Sequence, residues 1–189
     1  MKILTKKEIE AKKEFYIEEI KKGKIFIYPT DTIYGIGCNA LNSRAVLKIR
    51  EIKNRETKPF SIIAPSKKWI LKNCFVDNLA KKWLDKLPGA YTLILRLKNK
   101  EVIAKEVNNN SDTLGVRIPA NLFAEFISEI NIPFITTSVN LSGEKPINSL
   151  EDLKEEMKKS VDYFIDDGEL KNPPSKIIDL AQEKEIIIR

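Results

Sequence analysis

The chain contains no histidine among its 189 residues. That excludes a Ser-His or Cys-His nucleophile and any zinc site that depends on imidazole. A Ser-Lys arrangement stays formally open. Chemistry must otherwise rest on Lys, Arg, Asp, Glu, hydroxyls, backbone dipoles or a metal carried in by a ligand. Only two cysteines occur, Cys38 and Cys74, at a spacing that matches no metal or redox motif, and they read as buried or incidental thiols. No apolar run approaches the ~20 residues that span a bilayer. The N-terminal MKILTKKEIEAKKEF has neither an apolar signal core nor a cleavage site. The expectation is a cytoplasmic protein without a membrane partner.

What is present suits a charged globular protein: 42% hydrophobic and 32% charged residues. The length fits a single domain over 1–189 with one sizeable core. The formal charge of +6 favours anionic partners only weakly. Lysines crowd residues 6–24 and 81–86, on the polar faces of expected helices, so a solvated surface is a simpler reading than a nucleic-acid footprint.

Thr5 and Glu8 form a capping box that opens a helix running to Lys22, with Ile9, Phe15, Ile17 and Ile20 as its apolar face. Residues 24–28 (KIFIY) form a strand ended by Pro29. A helix follows from Asn42 or Ser43 to Ile52, then a buried strand over 60–64 and a short helix from Ser66 to Leu71. Asp77 opens another helix to Lys86, and 91–97 is a strand. Residues 101–107 suit a helix, 114–118 a strand, 122–130 a helix and 133–137 a strand. Ser149 caps a charged helix to Lys159, and 161–165, 176–180 and 185–189 close the chain as strands. The alternation predicts an α/β fold with α+β character, built on a large mixed sheet.

Four loops concentrate polar groups at the ends of apolar runs. In YPTDTIYGIG (28–37), Thr30, Asp31 and Thr32 offer hydroxyls and a carboxylate, and Gly35 and Gly37 allow backbone close to a ligand; a plain Asx or Ser/Thr turn explains the residues equally well. In KNRETKP (53–59), Lys53 and Arg55 diverge on a helix but share a side on extended backbone. There they would suit phosphate or carboxylate, or simply neutralise a helix C-terminus. In TLGVRIP (113–119), Arg117 lies within an apolar strand and must snorkel, pair with a carboxylate or face a cavity. In TTSVNLSGEKP (136–146), Ser138 and Asn140 repeat the two-residue spacing, so they share a side and would bind and orient rather than attack.

In order and spacing, these loops resemble the YrdC family of threonylcarbamoyl-AMP synthases. The residues that carry the resemblance are YPTDTIYGIGCNA, Lys53-x-Arg55 followed by KPFSII, LPGAYTLIL, LGVRIP, PFITTSVNLSGEKP and PPSKIIDL ahead of IIIR, from about Gly23 to Arg189. The resemblance implies an open, twisted mixed sheet flanked by helices, with a concave, positively charged active-site face. It implies that L-threonine, bicarbonate and ATP yield threonylcarbamoyl-AMP and pyrophosphate, and that the product passes to a separate tRNA threonylcarbamoyl transferase. Magnesium would arrive with ATP. Lys53, Arg55, Ser138 and Asn140 match the family's signature set for the nucleotide phosphates and the reacting group, with Thr113 and Arg189 also on the nucleotide side. Thr30, Thr32, Tyr34, Arg117, Thr137 and Ser175 would line the threonine side, with Arg117 facing its carboxylate.

The chain departs from the family pattern in four places. Ala90 follows Pro88-Gly89 where proline is frequent, Asn121 stands where histidine is common, Lys176 replaces a threonine, and no histidine occurs near 62–64. Longer relatives add a C-terminal domain that this sequence does not contain. Two alternatives remain: an RNA-binding module for double-stranded RNA or tRNA without synthase activity, and a carbamoyl-transfer domain that forms carbamoyl-AMP. Against the first, the aromatics are scattered and no RNA-binding signature is present.

Overall fold

A computed structural model describes all residues except Ser142, Glu183 and Arg189. Its centre is a ten-stranded mixed sheet. The strands are β1 (Lys2–Leu4), β2 (Phe26–Tyr28), β3 (Gly35–Gly37), β4 (Ser61–Ile63), β5 (Tyr91–Arg96), β6 (Thr113–Arg117), β7 (Phe134–Ser138), β8 (Tyr163–Ile165), β9 (Lys176–Asp179) and β10 (Ile186–Ile187). Their spatial order is β1-β8-β2-β3-β7-β4-β6-β5-β9-β10, so the sheet is open, with β1 and β10 at its edges.

Among the described residues seven helices flank it: α1 (Lys6–Ala11), α2 (Lys13–Lys21), α3 (Ser43–Lys53), α4 (Lys67–Asn73), α5 (Asn78–Leu84), α6 (Leu122–Ile130) and α7 (Glu155–Ser160). Helix starts follow side-chain chemistry. Thr5, Asn42, Ser66, Asp77 and Asn121 each accept a hydrogen bond from a backbone N–H in the first turn, which satisfies donors that helix geometry leaves unpaired.

The two sheet faces are covered differently. One buries Ile27, Ile36, Ile62, Leu93, Leu95, Val116 and Ile135 against apolar residues of α3, α4, α5 and α7. The other packs Phe26, Tyr28, Ile63 and Phe134 against Tyr16 and Ile20 of α2 and Phe123 and Ile127 of α6. That second cover is partial, which matters for the site.

Several expectations change. The helix expected over residues 5–22 is two helices broken at Lys12, whose φ of −122° and ψ of 36° leave the helical region. Tyr16 rather than Phe15 enters the core: it lies seven residues after Ile9 and four before Ile20, so it shares their face, while Phe15 is exposed. Residues 101–107 form only a 3₁₀ turn over Lys100–Val102. The rest is pinned elsewhere, with Ala104 N–H donating to Ala40 O and Phe60 N–H to Val107 O. Ser149 caps nothing, because Asp152 accepts from the backbone N–H of both Asn148 and Ser149 and helix α7 begins only after Lys154. β1 and β3 are strands that alternation does not reveal. Gly37 serves the sheet and not a ligand: a Cβ there would lie 1.8 Å from Ile135 O.

Candidate functional site

Along the partly covered face, side chains change from apolar to polar where helices α2 and α6 end their cover. The register sets Ser61 opposite Thr136 and Gly115, and Ile63 opposite Phe134 and Arg117. Because side chains alternate, Phe134, Thr136 and Ser138 share the face with Ser61, Arg117 and, across β5, Thr92. These groups, with Thr30, Thr32, Tyr34, Arg55, Thr137 and Ser175, line a cleft of about 210 Å³. That is below the roughly 300–1,000 Å³ of whole small-molecule sites, so a nucleotide-sized ligand would extend past it.

Helix α3 delivers the basic pair. Its last residue is Lys53, and Asn54 then takes the left-handed conformation, with φ 47° and ψ 52°. Asn tolerates that region better than most residues. This single residue turns the chain so that Lys53 and Arg55, which a continuing helix would separate, both approach β7. Arg55 Nη1 donates to Thr137 Oγ1 at 3.4 Å, Nη2 to Pro59 O at 2.6 Å and Nε to Lys58 O at 3.3 Å, and its guanidinium lies 5.1 Å from the Phe60 ring centroid.

Lys53 is 1% exposed. Its Nζ donates to Ser138 O at 2.5 Å and to Asn140 O at 2.8 Å, with Asn140 Oδ1 at 3.3 Å. Ser138 Oγ donates to the same Oδ1 at 2.5 Å. Burial, and secondarily the Arg55 charge, pull the Lys53 pKa down to about 7, while the surrounding acceptor oxygens favour its ammonium form. Lys53, Ser138 and Asn140 thus form one closed network behind the cleft. Ser138 and Arg55 reach the lining; Lys53 and Asn140 stand behind it.

At the other end Arg117, 6% exposed, donates through Nη2 to Asp31 Oδ1 at 2.5 Å. Asp31 Oδ2 also accepts from the Ala120 N–H at 3.1 Å. Of the open alternatives for Arg117 two are met: it pairs with a carboxylate, and it lines the cleft. Thr30 and Thr32 hydroxyls meet at 2.9 Å, and Thr30 Oγ1 donates to Ile33 O. Tyr34 borders the cleft with its ring, but its hydroxyl donates to Gly168 O and accepts from Asp167 N–H; burial raises its pKa to about 12. Ser175 and Thr92 hydroxyls lie 2.9 Å apart.

The structure therefore gathers ten of the expected site residues: Lys53, Arg55, Ser138, Asn140, Thr30, Thr32, Tyr34, Arg117, Thr137 and Ser175. Thr113 is not among them. It begins β6, opposite Arg96 and four residues before Arg117, with its hydroxyl 3.2 Å from Ser111 Oγ. Arg189 lies outside the described residues. Sequence reasoning missed Asp31 as the Arg117 partner, and also Ser61, Phe60 and Thr92 as lining; sheet register places Ser61 and Thr92, while Asp31 and Phe60 come from the segments flanking the strands. Among the described residues no group of three or more His, Cys, Asp or Glu side chains could hold a metal. A second cleft of similar size, between α1 and α6, is lined by Ile9, Phe123 and Phe126 with ion pairs at its rim, Lys6–Asp167 and Lys13–Glu129. It lacks the converging hydroxyls and guanidinium groups of the first.

Comparison with known proteins gives a consistent picture. The family model Sua5/YciO/YrdC, described as "Telomere recombination", matches residues 18–189. A Methanocaldococcus jannaschii protein provisionally named threonylcarbamoyl-AMP synthase is 44% identical over 197 aligned positions, covering 100% of this chain and 91% of the relative. The crystal structure of P. abyssi Sua5 complexed with L-threonine superimposes with a TM-score of 0.86 at 29% identity, over 100% of this chain and 56% of that one. Escherichia coli YciO superimposes with a TM-score of 0.85 at 27% identity, covering 100% of this chain and 93% of its own. The chain thus spans just over half the length of the archaeal Sua5 structure and nearly all of YciO.

Proposed function

The chain belongs to the Sua5/YciO/YrdC family, and on that footing we propose that it joins L-threonine, bicarbonate and ATP into threonylcarbamoyl-AMP, releasing pyrophosphate. The observation that carries this reading is the cleft itself. It holds two guanidinium groups, Arg55 and Arg117, among converging hydroxyls, and no histidine or cysteine nucleophile. Such a site suits chemistry in which the nucleophile comes from the substrates.

The amine of threonine and bicarbonate condense to a carbamate with loss of water. A carbamate oxygen then forms a bond to the α-phosphorus of ATP as the bond to pyrophosphate breaks. The protein positions anions and stabilises charge on the transferring centre. Arg55 and the Ser138 hydroxyl sit at the phosphate end. Lys53 and Asn140 hold the Ser138 turn in shape and add positive charge behind it. At the other end Arg117 receives the threonine carboxylate, with Thr32, Thr137 and Ser175 around the amino acid. Magnesium comes with the nucleotide, because Asp31, the carboxylate between the lining residues Thr30 and Thr32, is already engaged by Arg117. The adenylate would feed threonylcarbamoylation of tRNA by a separate transferase.

The test is pyrophosphate release from ATP with each substrate omitted in turn. Release that requires both threonine and bicarbonate is expected. Release indifferent to threonine defeats the reading. Carbamoyl phosphate replacing both co-substrates would point to carbamoyl-AMP formation, and salt-sensitive RNA binding without ATP turnover to an RNA-binding module.

A further inference from the structure

Arg50 lies one turn before the end of α3, within an amphipathic helix where an arginine would ordinarily point to solvent. Instead it is 8% exposed, and its guanidinium is enclosed by backbone oxygens. Nη1 donates to Arg55 O and Glu56 O at 2.9 Å and approaches Lys58 O at 3.2 Å. Nε donates to Glu106 O at 2.9 Å, and Nη2 to Glu106 O at 2.7 Å and Asn109 Oδ1 at 3.0 Å. The Phe60 ring lies against it, 4.7 Å from centroid to Cζ.

These contacts join two segments far apart in sequence, 55–58 and 106–109. The join is reinforced from the other side: Asn109 Nδ2 donates to Thr57 O, and Phe60 N–H donates to Val107 O. Arg55 shares this framework. Its own guanidinium leans on the carbonyls of Lys58 and Pro59 and on the same Phe60 ring. The loop carbonyls are thus divided between two arginines, Arg50 holding Arg55 O and Glu56 O from within, Arg55 holding Pro59 O from the cleft side.

We infer that Arg50 is a positioning residue for the reaction: it fixes the curvature of the 55–59 loop and through it the placement of the Arg55 guanidinium over the cleft. Only a planar fork with five donors can hold carbonyls of two segments at once. A lysine of the same charge offers three donors from one point. Without the guanidinium these inward-turned carbonyls would have to find water instead, so this otherwise exposed loop would open and take Arg55 with it. The inference rests on the reading of Arg55 as the phosphate-side cation.

The test uses Arg50→Lys and Asn109→Ala in the full chain with two readouts. The first needs no activity. The chain has six arginines, so ¹⁵N side-chain spectra resolve the Arg55 Nε–H, identified by its loss in Arg55→Lys. In the native protein it should exchange slowly; in Arg50→Lys it should move into the position of solvent-exposed arginines. The second is kinetic: kcat for pyrophosphate release should fall about 10- to 100-fold, as expected for a displaced positioning group, with the KM for threonine unchanged. Asn109→Ala should fall between native and Arg50→Lys on both. The inference is overturned if Arg50→Lys leaves the Arg55 signal unmoved, or if activity falls only in proportion to the fraction of protein unfolded. Should the native protein release no pyrophosphate, the proposed function fails while the spectra still decide the role of Arg50.

Discussion

The two arginines that face the cleft have opposite electrostatic surroundings. The partners of Arg55 among the described residues are neutral oxygens: a threonine hydroxyl and the carbonyls of Lys58 and Pro59. Arg117 is matched by the carboxylate of Asp31. The Arg55 end therefore keeps a net positive charge and, with Lys53 close behind, attracts an anion outright. The Arg117 end is already balanced, so an incoming carboxylate must share or replace Asp31. On the proposed function, one end would gather charge and the other exchange it.

This contrast can be broken experimentally. The largest effect is expected for Arg55→Ala, which should lower kcat/KM for ATP by about 10²- to 10³-fold in a pyrophosphate-release assay, the scale seen when a charge-stabilising donor is removed. A near-native value would remove Arg55 from the phosphate end. Asp31→Ala should act mainly on stability. It removes the carboxylate of a buried ion pair, a loss of about 3 kcal/mol measured by urea unfolding. Asp31→Ala at native stability would mean that Arg117 does not depend on the pair.

The smallest expected effect is a pH dependence at the Arg55 end. Lys53, lowered to about 7 by burial and Arg55, loses its proton as pH rises through that value, whereas an ordinary lysine keeps it to about 10.4. If nucleotide binds at this end, as proposed, it favours the charged form, so ATP affinity should fall several-fold between pH 6 and 8.5, and binding should take up protons in that window. Calorimetry in buffers of different ionisation enthalpy measures the uptake. Affinity flat over the range would mean that Lys53 stays protonated throughout.

How much of this could be read from the sequence depends on the distance over which each cause acts. Capping is local, so Thr5, Ser66 and Asp77 announce their helices, and the strands around residues 26–28, 61–63, 91–96, 113–117 and 134–138 follow from short apolar runs. Ser138 and Asn140 were legible as a pair in part: their side chains do meet, but β7 ends at Ser138, and Asn140, beyond it in a bend, stands behind the cleft. Lys53 and Arg55 were not, since convergence depends on the left-handed turn at Asn54, and spacing alone left two directions open. Asn121, conspicuous as a departure from the family pattern, turns out to cap α6 and to donate to Pro29 O. Arg50 was invisible: in a helix with charged neighbours it looks like surface, and its partners lie five to fifty-nine residues away. β3 was hidden for a different reason, because three residues of Gly-Ile-Gly carry no alternation to read.

The order of the strands has a consequence for how the protein comes into being. The cleft draws its walls from residues 30–35, 55–61, 92, 117, 136–138 and 175–177, and Ser175 arrives only when β9 pairs alongside β5. A ribosome must therefore deliver more than nine-tenths of the chain before a complete cleft can exist. Sheets assembled from such distant partners close slowly, because long loops must be ordered before their contacts form. A complete cleft is thus something the nascent chain acquires late and all at once, and on the proposed function fragments ending before residue 175 should fail to hold threonine even where their individual strands have formed.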